Sequence, residues 1–205
     1  MKLYYSPGAC SLSPHIVSRE LGIPVELKKV NSKDKSVEGG GDYRQVNPRG
    51  YVPALVLDNG EILTEGPAIV QYLADRKPQA GLAPQAGSFE RYRLQEWLNF
   101  LTSEIHKTFS PLFKPTTPEE YKKITKENLA GRFDWLDQQL AGKDYLMGSQ
   151  FTVADAYLFV LLGWTGPTQL DLAKWPNLAA FHKRVGARPK VKEALEAEGL
   201  LKKAA

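Results

Sequence analysis

Up to about residue 76, hydrophobic and polar positions alternate in short runs; beyond it they recur at helical spacing. Lys2–Tyr5 carries the β-prone residues of a strand and stops at the turn sequence Ser6-Pro7-Gly8. Ser13 before Pro14 reads as a helix N-cap with proline in the first turn, and the helix runs through Ile16, Val17 and Leu21 to Gly22. Pro24–Val30 reads as a second strand, parallel to the first by the right-handed crossover rule, and Gly39–Gly41 marks a surface loop. Ala54–Leu57 and Glu61–Leu63 flank Asp58-Asn59-Gly60, the strongest short hairpin cue, and a helix over about Glu65–Asp75 closes an α/β unit.

Pro78, Gly81 and Pro84 lie in polar filler, after which hairpin and strand signals vanish. The pattern therefore predicts a domain over residues 1–77, a linker over 78–87 and an all-helical domain over 88–205. Helical windows fit Ser88–Phe109, Glu119–Leu140, Val153–Trp164 and Asn177–Val185, with a shorter tail helix after Pro189. Phe151-Thr152-Val153-Ala154-Asp155 fits a capping box, in which cap hydroxyl and carboxylate satisfy first-turn amides. Such a box is expected to serve structure, because an interior helix needs its free amides satisfied locally.

Composition narrows the class. The 205 residues are 42% hydrophobic, 24% charged and 10% aromatic, which excludes disordered and collagen-like chains. The longest nearly unbroken apolar stretch, Ala154–Trp164, is well short of the roughly 20 residues of a membrane-crossing helix. The start, MKLYYSPGAC, lacks the apolar stretch of a secretory signal, so a cytoplasmic location is expected. The net charge of +4 is spread over pairs such as Lys28-Lys29, Lys122-Lys123 and Lys202-Lys203, without the stripe of a nucleic-acid binder. A lone cysteine, Cys10, excludes an internal disulfide and a Cys-rich zinc site, and no metal is expected.

Three segments carry candidate chemistry. Cys10 lies between the first strand and the first helix, where free amides and the macrodipole favour a thiolate; a small buried hydrophobe is the alternative. The dipole alone, worth about 0.3–1 kcal/mol, shifts a thiol by less than about one pKa unit, so a second donor or cation is required. Cys10-Ser11-Leu12-Ser13 is a C-x-x-S, so a mixed disulfide at Cys10 has no resolving thiol. Val52-Pro53 precedes the third strand. A cis bond there leaves Val52 N–H and C=O open to an extended peptide, whereas a trans bond makes an ordinary loop. Glu65-Gly66-Pro67 opens a helix whose free amides suit a carboxylate, with Glu65 placed to hold an ammonium. Together these describe a slot for a peptide with a thiol in its middle and an amino-acid head group at one end.

That ligand matches glutathione. The segments YYSPGACSLSPHI, NPRGYVPAL, LTEGPAIVQYLA and FTVADAYLF together resemble a glutathione S-transferase, and Cys10 with His106-Lys107 resembles the bacterial beta class. The resemblance covers essentially the whole chain. It implies a thioredoxin-like N-terminal domain, an all-α C-terminal bundle, a cis Pro53 and a homodimer. It implies glutathione as co-substrate and an enzyme that conjugates its thiol to small hydrophobic electrophiles. A glutaredoxin-like thiol transferase or peroxidase working through Cys10, and a non-catalytic binding module, stand as alternatives.

Carried over residue by residue, the resemblance puts Cys10 beside the glutathione sulfur, with Ser11, Tyr51, Val52 and Pro53 around the cysteinyl backbone. Glu65 and Gly66 take the γ-glutamyl head, and Lys35 reaches the glycyl carboxylate. Asn99, Ser103, Glu104, Ile105, His106 and Lys107 match family positions lining the site, with Asn99, Ser103 and Glu104 directed at the partner's slot. Asn99, Ser103 and His106-Lys107 share a helix face at steps of three and four. The cationic and donor groups of His106 and Lys107 are expected to help stabilise the thiolate. Phe109, Phe113, Tyr157 and Trp164 are expected to form the electrophile wall. Tyr4, Tyr5 and Ser11 remain alternative thiol activators, and because two neighbouring thiolates repel, Cys10 is expected either to donate its S–H to a glutathione thiolate or to form a mixed disulfide with it.

Overall fold

Period-two alternation in β1 (Lys2–Tyr5) buries Leu3 and Tyr5 and leaves Lys2 exposed. The structure, a computed structural model, describes residues 1–201. β1 pairs in parallel with β2 (Glu26–Lys29) and antiparallel with β3 (Ala54–Val56), which forms the Asn-Gly hairpin with β4 (Ile62–Thr64). The order is β2-β1-β3-β4, a mixed four-stranded sheet of thioredoxin-like topology. Leu3 and Leu55 of the sheet and Ile16, Ile69 and Leu73 of the helices are fully buried. These helices, α1 (Leu12–Glu20) and α2 (Gly66–Asp75), pack against each other.

The first helix starts earlier than the Ser-Pro signal indicates. A turn through Ala9 and Cys10 runs directly into α1, with Leu12 N–H on Ala9 O at 2.9 Å and Ser13 N–H on Cys10 O at 3.1 Å. Ser13 is therefore inside the helix, where its hydroxyl donates to Cys10 O at 3.0 Å. Pro14 remains in the first turn, where its missing N–H is not needed.

The chain divides into two compact units, Met1–Ala83 with the segment from Ala187 onward, and Pro84–Gly186. The tail helix α8 (Pro189–Ala197) thus packs with the first unit, against α1, where the sequence pattern had placed it in the helical domain. Buried polar groups account for this. His15 Nδ1 and Glu198 Oε1 lie 2.9 Å apart, both side chains fully buried, and Glu198 Oε2 accepts from Gly8 N–H at 2.9 Å. Arg188 also forms two bonds to the Glu20 carboxylate, at 2.7 and 2.8 Å. Residues 202–205 of the proposed helical domain lie outside the described residues.

The second unit is helical. Ser88 caps α3 (Phe89–Phe100) by accepting from Arg91 N–H at 3.2 Å. The single regular helix expected over 88–109 is broken: Leu101–His106 is a π-helical stretch leading into the short α4 (Lys107–Phe109). The Thr102 and Ser103 hydroxyls donate to Leu98 O at 2.7 Å and Asn99 O at 3.0 Å, filling carbonyls where the helix widens. α5 (Glu119–Leu140), α6 (Val153–Gly163) and α7 (Pro176–Gly186) complete the unit. α6 is buried from Val153 to Leu162, and its capping box forms: Asp155 accepts Thr152 N–H at 2.8 Å on one oxygen and Leu146 N–H at 2.8 Å on the other. Among the described residues, no helix is long and apolar enough to cross a membrane.

Candidate functional site

The loop after β1 places the thiol. Ser11 is fully buried, its hydroxyl accepting from Ser6 N–H at 3.1 Å and donating to Ser6 O at 3.2 Å, so it closes the loop. That hydroxyl is thereby committed to the Ser6 backbone, which leaves the Ser11 main chain as the part of the residue that can face a ligand. The half-buried Cys10 donates its S–H to Val52 O at 3.2 Å across the Val52-Pro53 bond, which is cis. Burial pushes the Cys10 thiol up to about 12, and the Glu65 charge adds to the rise. The amides of Cys10 and Ser11 act in the opposite direction and do not offset it. Desolvation outweighs the pull of the helix start toward a thiolate, and the resting thiol is a neutral donor, the state in which Cys10 can offer its S–H to a neighbouring sulfur.

The two tyrosines of β1 are both engaged by the fold. Burial pushes the Tyr5 phenol up, with Glu198 and Glu38 adding to it, and Tyr4 packs on Tyr43 with ring centroids 5.4 Å apart.

Val52 keeps its N–H without an acceptor among the described residues, while its carbonyl holds the Cys10 thiol. Two donors pin the preceding residue: Tyr43 Oη and the buried Asn47 amide both reach Tyr51 O, at 2.8 and 2.7 Å. The Tyr51 ring itself is exposed. Pattern reading missed Tyr43 and Asn47; the Asn-Pro-Arg-Gly turn is the signal that marks them.

Glu65, the N-cap of α2, sits at φ 68°, a region that L-residues avoid and that recurs at functional sites. Its carboxylate is exposed and pairs with Arg49 at 3.0 Å. Gly66 N–H has no acceptor among the described residues and opens the ten-residue α2. Lys35 also has φ 68°; its ammonium donates to Ser32 O at 2.7 Å and its stem packs over Gly50. Cys10, Val52, Pro53, Glu65, Gly66 and Lys35 thus all belong to the first unit.

In the helical unit, the π-helical widening rearranges the expected face. Asn99, Ser103 and Lys107 are exposed, whereas His106 turns inward, its Nδ1 2.5 Å from Tyr157 Oη and its ring 4.9 Å from Trp164. Burial holds His106 down at about 4, with Lys107 adding to the shift, so the ring is neutral rather than the cation expected from the sequence. Glu104 is engaged by Arg132 at 2.8 Å within its own unit, and the Ile105 side chain is fully buried, which leaves only its backbone for a ligand. Phe109, Phe113 and Trp164 form one aromatic cluster with centroids 5.4–6.3 Å apart. Phe109 and Tyr157 are core; Phe113 and Trp164 keep surface. Among the described residues, no His, Cys, Asp and Glu group could hold a metal ion.

Residues 8–76 match the family model of the glutathione S-transferase N-terminal domain and residues 100–189 that of the C-terminal domain. Glutathione S-transferase GstA of Escherichia coli O157:H7 is 48% identical over 98% of this chain and 100% of its own. A sphingomonad glutathione S-transferase complexed with glutathione is 50% identical, covering 98% of this chain and 100% of its own, with a TM-score of 0.95. A bacterial beta-class glutathione S-transferase from Sphingomonas chungbukensis is also 50% identical, with the same coverage and a TM-score of 0.96. With the mixed sheet, the helical unit and the Val52-Pro53 edge already in place, these likenesses mean that the chain belongs to the glutathione S-transferase family.

Proposed function

We propose that the chain is a glutathione transferase that holds glutathione on the rim of its α/β unit and delivers the sulfur to small hydrophobic electrophiles. The observation that carries this reading is the pairing of a neutral Cys10 thiol with Val52 O beside an open Val52 N–H. An extended cysteinyl backbone pairs with that edge, its carbonyl accepting from Val52 N–H and its N–H replacing the weakly donating thiol on Val52 O. Cys10, released and still protonated, then donates to the arriving sulfur and stabilises it as a thiolate. Glu65 takes the γ-glutamyl ammonium, Gly66 N–H its carboxylate, and Lys35 the glycyl carboxylate once it leaves Ser32 O.

The family resemblance gives His106 and Lys107 ligand-binding roles within the helical unit, His106 as a neutral donor. Asn99, Ser103 and Glu104 are assigned to the partner's slot on the same ground, Glu104 after exchanging Arg132 for ligand. Phe113 and Trp164 supply the surface for the electrophile. The glutathione thiolate attacks the carbon bearing the leaving group; the C–S bond forms, the bond to the leaving group breaks, and the thiol proton passes to solvent. Burial, by pushing the Cys10 thiol up to about 12, lowers the thiolate fraction that could attack a disulfide at neutral pH, which favours conjugation over exchange through Cys10.

Conjugation of glutathione to a chlorodinitrobenzene near neutral pH tests the proposal. The parent should turn over, Cys10→Ala should keep much of that activity, and absence of both turnover and glutathione binding in the parent ends the reading. We also read the chain as a homodimer working in the reducing cytoplasm. The family resemblance supports the dimer, which sedimentation at low micromolar concentration checks, and the lone cysteine is compatible with a reducing compartment.

A further inference from the structure

Arg49 has no part in the reading above, yet it bridges the two segments that form the slot. Its Nη1 lies 3.0 Å from Glu65 Oε1 and its Nη2 donates to Thr64 Oγ1 at 2.8 Å. Its backbone is anchored as well, since its N–H donates at 3.2 Å to Oδ1 of the buried Asn47, whose amide holds Tyr51 O. One guanidinium thus ties the 47–52 turn, which presents Val52, to the end of β4 and the strained Glu65.

A planar guanidinium holds its two contacts at a fixed spacing, Nη2 on Thr64 and Nη1 on Glu65, so the Thr64 bond fixes the direction from which Glu65 is met, which a point charge does not. With Arg49 on Oε1, the second oxygen of Glu65 remains for another cation. The free Gly66 N–H at the adjacent helix start offers the complementary place for an anion. The receptor thereby fits an ammonium and a carboxylate on one carbon. We propose that Arg49 is a positioning residue for the γ-glutamyl head group, orienting Glu65 toward the ammonium of glutathione. This inference rests on the head-group assignment made above.

Calorimetry with glutathione and with its deamino analogue, in which hydrogen replaces the head-group ammonium, tests it. Arg49→Gln should raise the glutathione Kd about 3–10-fold, the lower end for a charge-assisted bond because the pair is exposed. It should leave kcat at saturating glutathione unchanged and the Kd of the deamino analogue unchanged. Arg49→Lys should recover only part of the loss, because an ammonium does not bridge Thr64 and Glu65 as the fork does. The double variant Arg49→Gln/Glu65→Gln should bind no more weakly than Glu65→Gln. Equal weakening of glutathione and its analogue by Arg49→Gln overturns the inference. So does unchanged glutathione affinity in Arg49→Gln when Glu65→Gln weakens binding, and in that case the proposed function stands. A parent that does not bind glutathione overturns both.

Discussion

The protonation state of Cys10 decides between the chemistries open to this chain, and it is measurable without any substrate. At pH 7.5 an ordinary thiol of pKa about 8.5 is roughly 10% ionised. A thiol at about 12 is ionised to about 3 parts in 100,000, a roughly 3,000-fold deficit in the reactive species. The chain has one cysteine, so iodoacetamide labelling read by intact mass reports this group alone. Steric shielding also slows labelling, but it scales the rate without altering the pH dependence. For a group titrating near 12, the rate rises about tenfold per pH unit from pH 6 to pH 10 with no plateau. The urea-unfolded chain should level off near pH 9, as an ordinary thiol does. Glu65→Gln should move the folded profile to lower pH, since the Glu65 charge is one cause of the raised value. A plateau below about pH 9 in the folded protein would refute the argument that desolvation outweighs the helix dipole.

Asp155→Ala strands two backbone N–H groups, those of Leu146 and Thr152; at about 1–3 kcal/mol each, a loss of about 2–6 kcal/mol in urea unfolding is expected. All four tryptophans lie in the Pro84–Gly186 unit, so intrinsic fluorescence follows that unit directly. His106 titrates lower folded than unfolded, so the unfolded chain takes up a proton that the folded one refuses. Stability should fall as the pH drops from about 6.5 toward 4, by at most about 3 kcal/mol, and His106→Gln should flatten that slope. The pH–rate profile of conjugation should correspondingly show no inflection near 6.5 from this group. Glu198→Ala leaves the buried His15 Nδ1 without its partner and should cost about 1–3 kcal/mol; a change under about 0.5 kcal/mol in chemical denaturation would count against the role given to the tail.

Local features were legible where the physics is local. Asn59-Gly60 specifies the β3–β4 hairpin because the turn needs positive φ, and Gly60 sits at φ 87°. The Thr152-x-x-Asp155 spacing marked the start of α6, and Cys10, Val52 and Glu65 were marked as candidates by residue type and neighbours alone. Where the π-helical stretch lies was hidden, because Thr102 and Ser103 are unremarkable in a helical pattern until their hydroxyls are seen on Leu98 and Asn99 carbonyls. That widening is why His106 turns inward while Lys107 stays out. Arg49 was hidden for another reason: its partners, Thr64 and Glu65, are brought to it only when the β3–β4 hairpin closes.

By itself the sequence determined the order of strands and helices, the hairpin and the α6 cap, because each depends on dihedral preferences and hydrogen bonds within a few residues. Only the tertiary structure decided the charge states and the docking of the tail. Cys10 is neutral because burial desolvates its thiol and the Glu65 charge adds to the effect, and His106 because burial desolvates its ring. Glu198 reaches His15 from 183 residues away, a contact that no local pattern encodes. Desolvation and Coulomb energies depend on what lies within a few ångströms in space, and spacing along the chain does not record that.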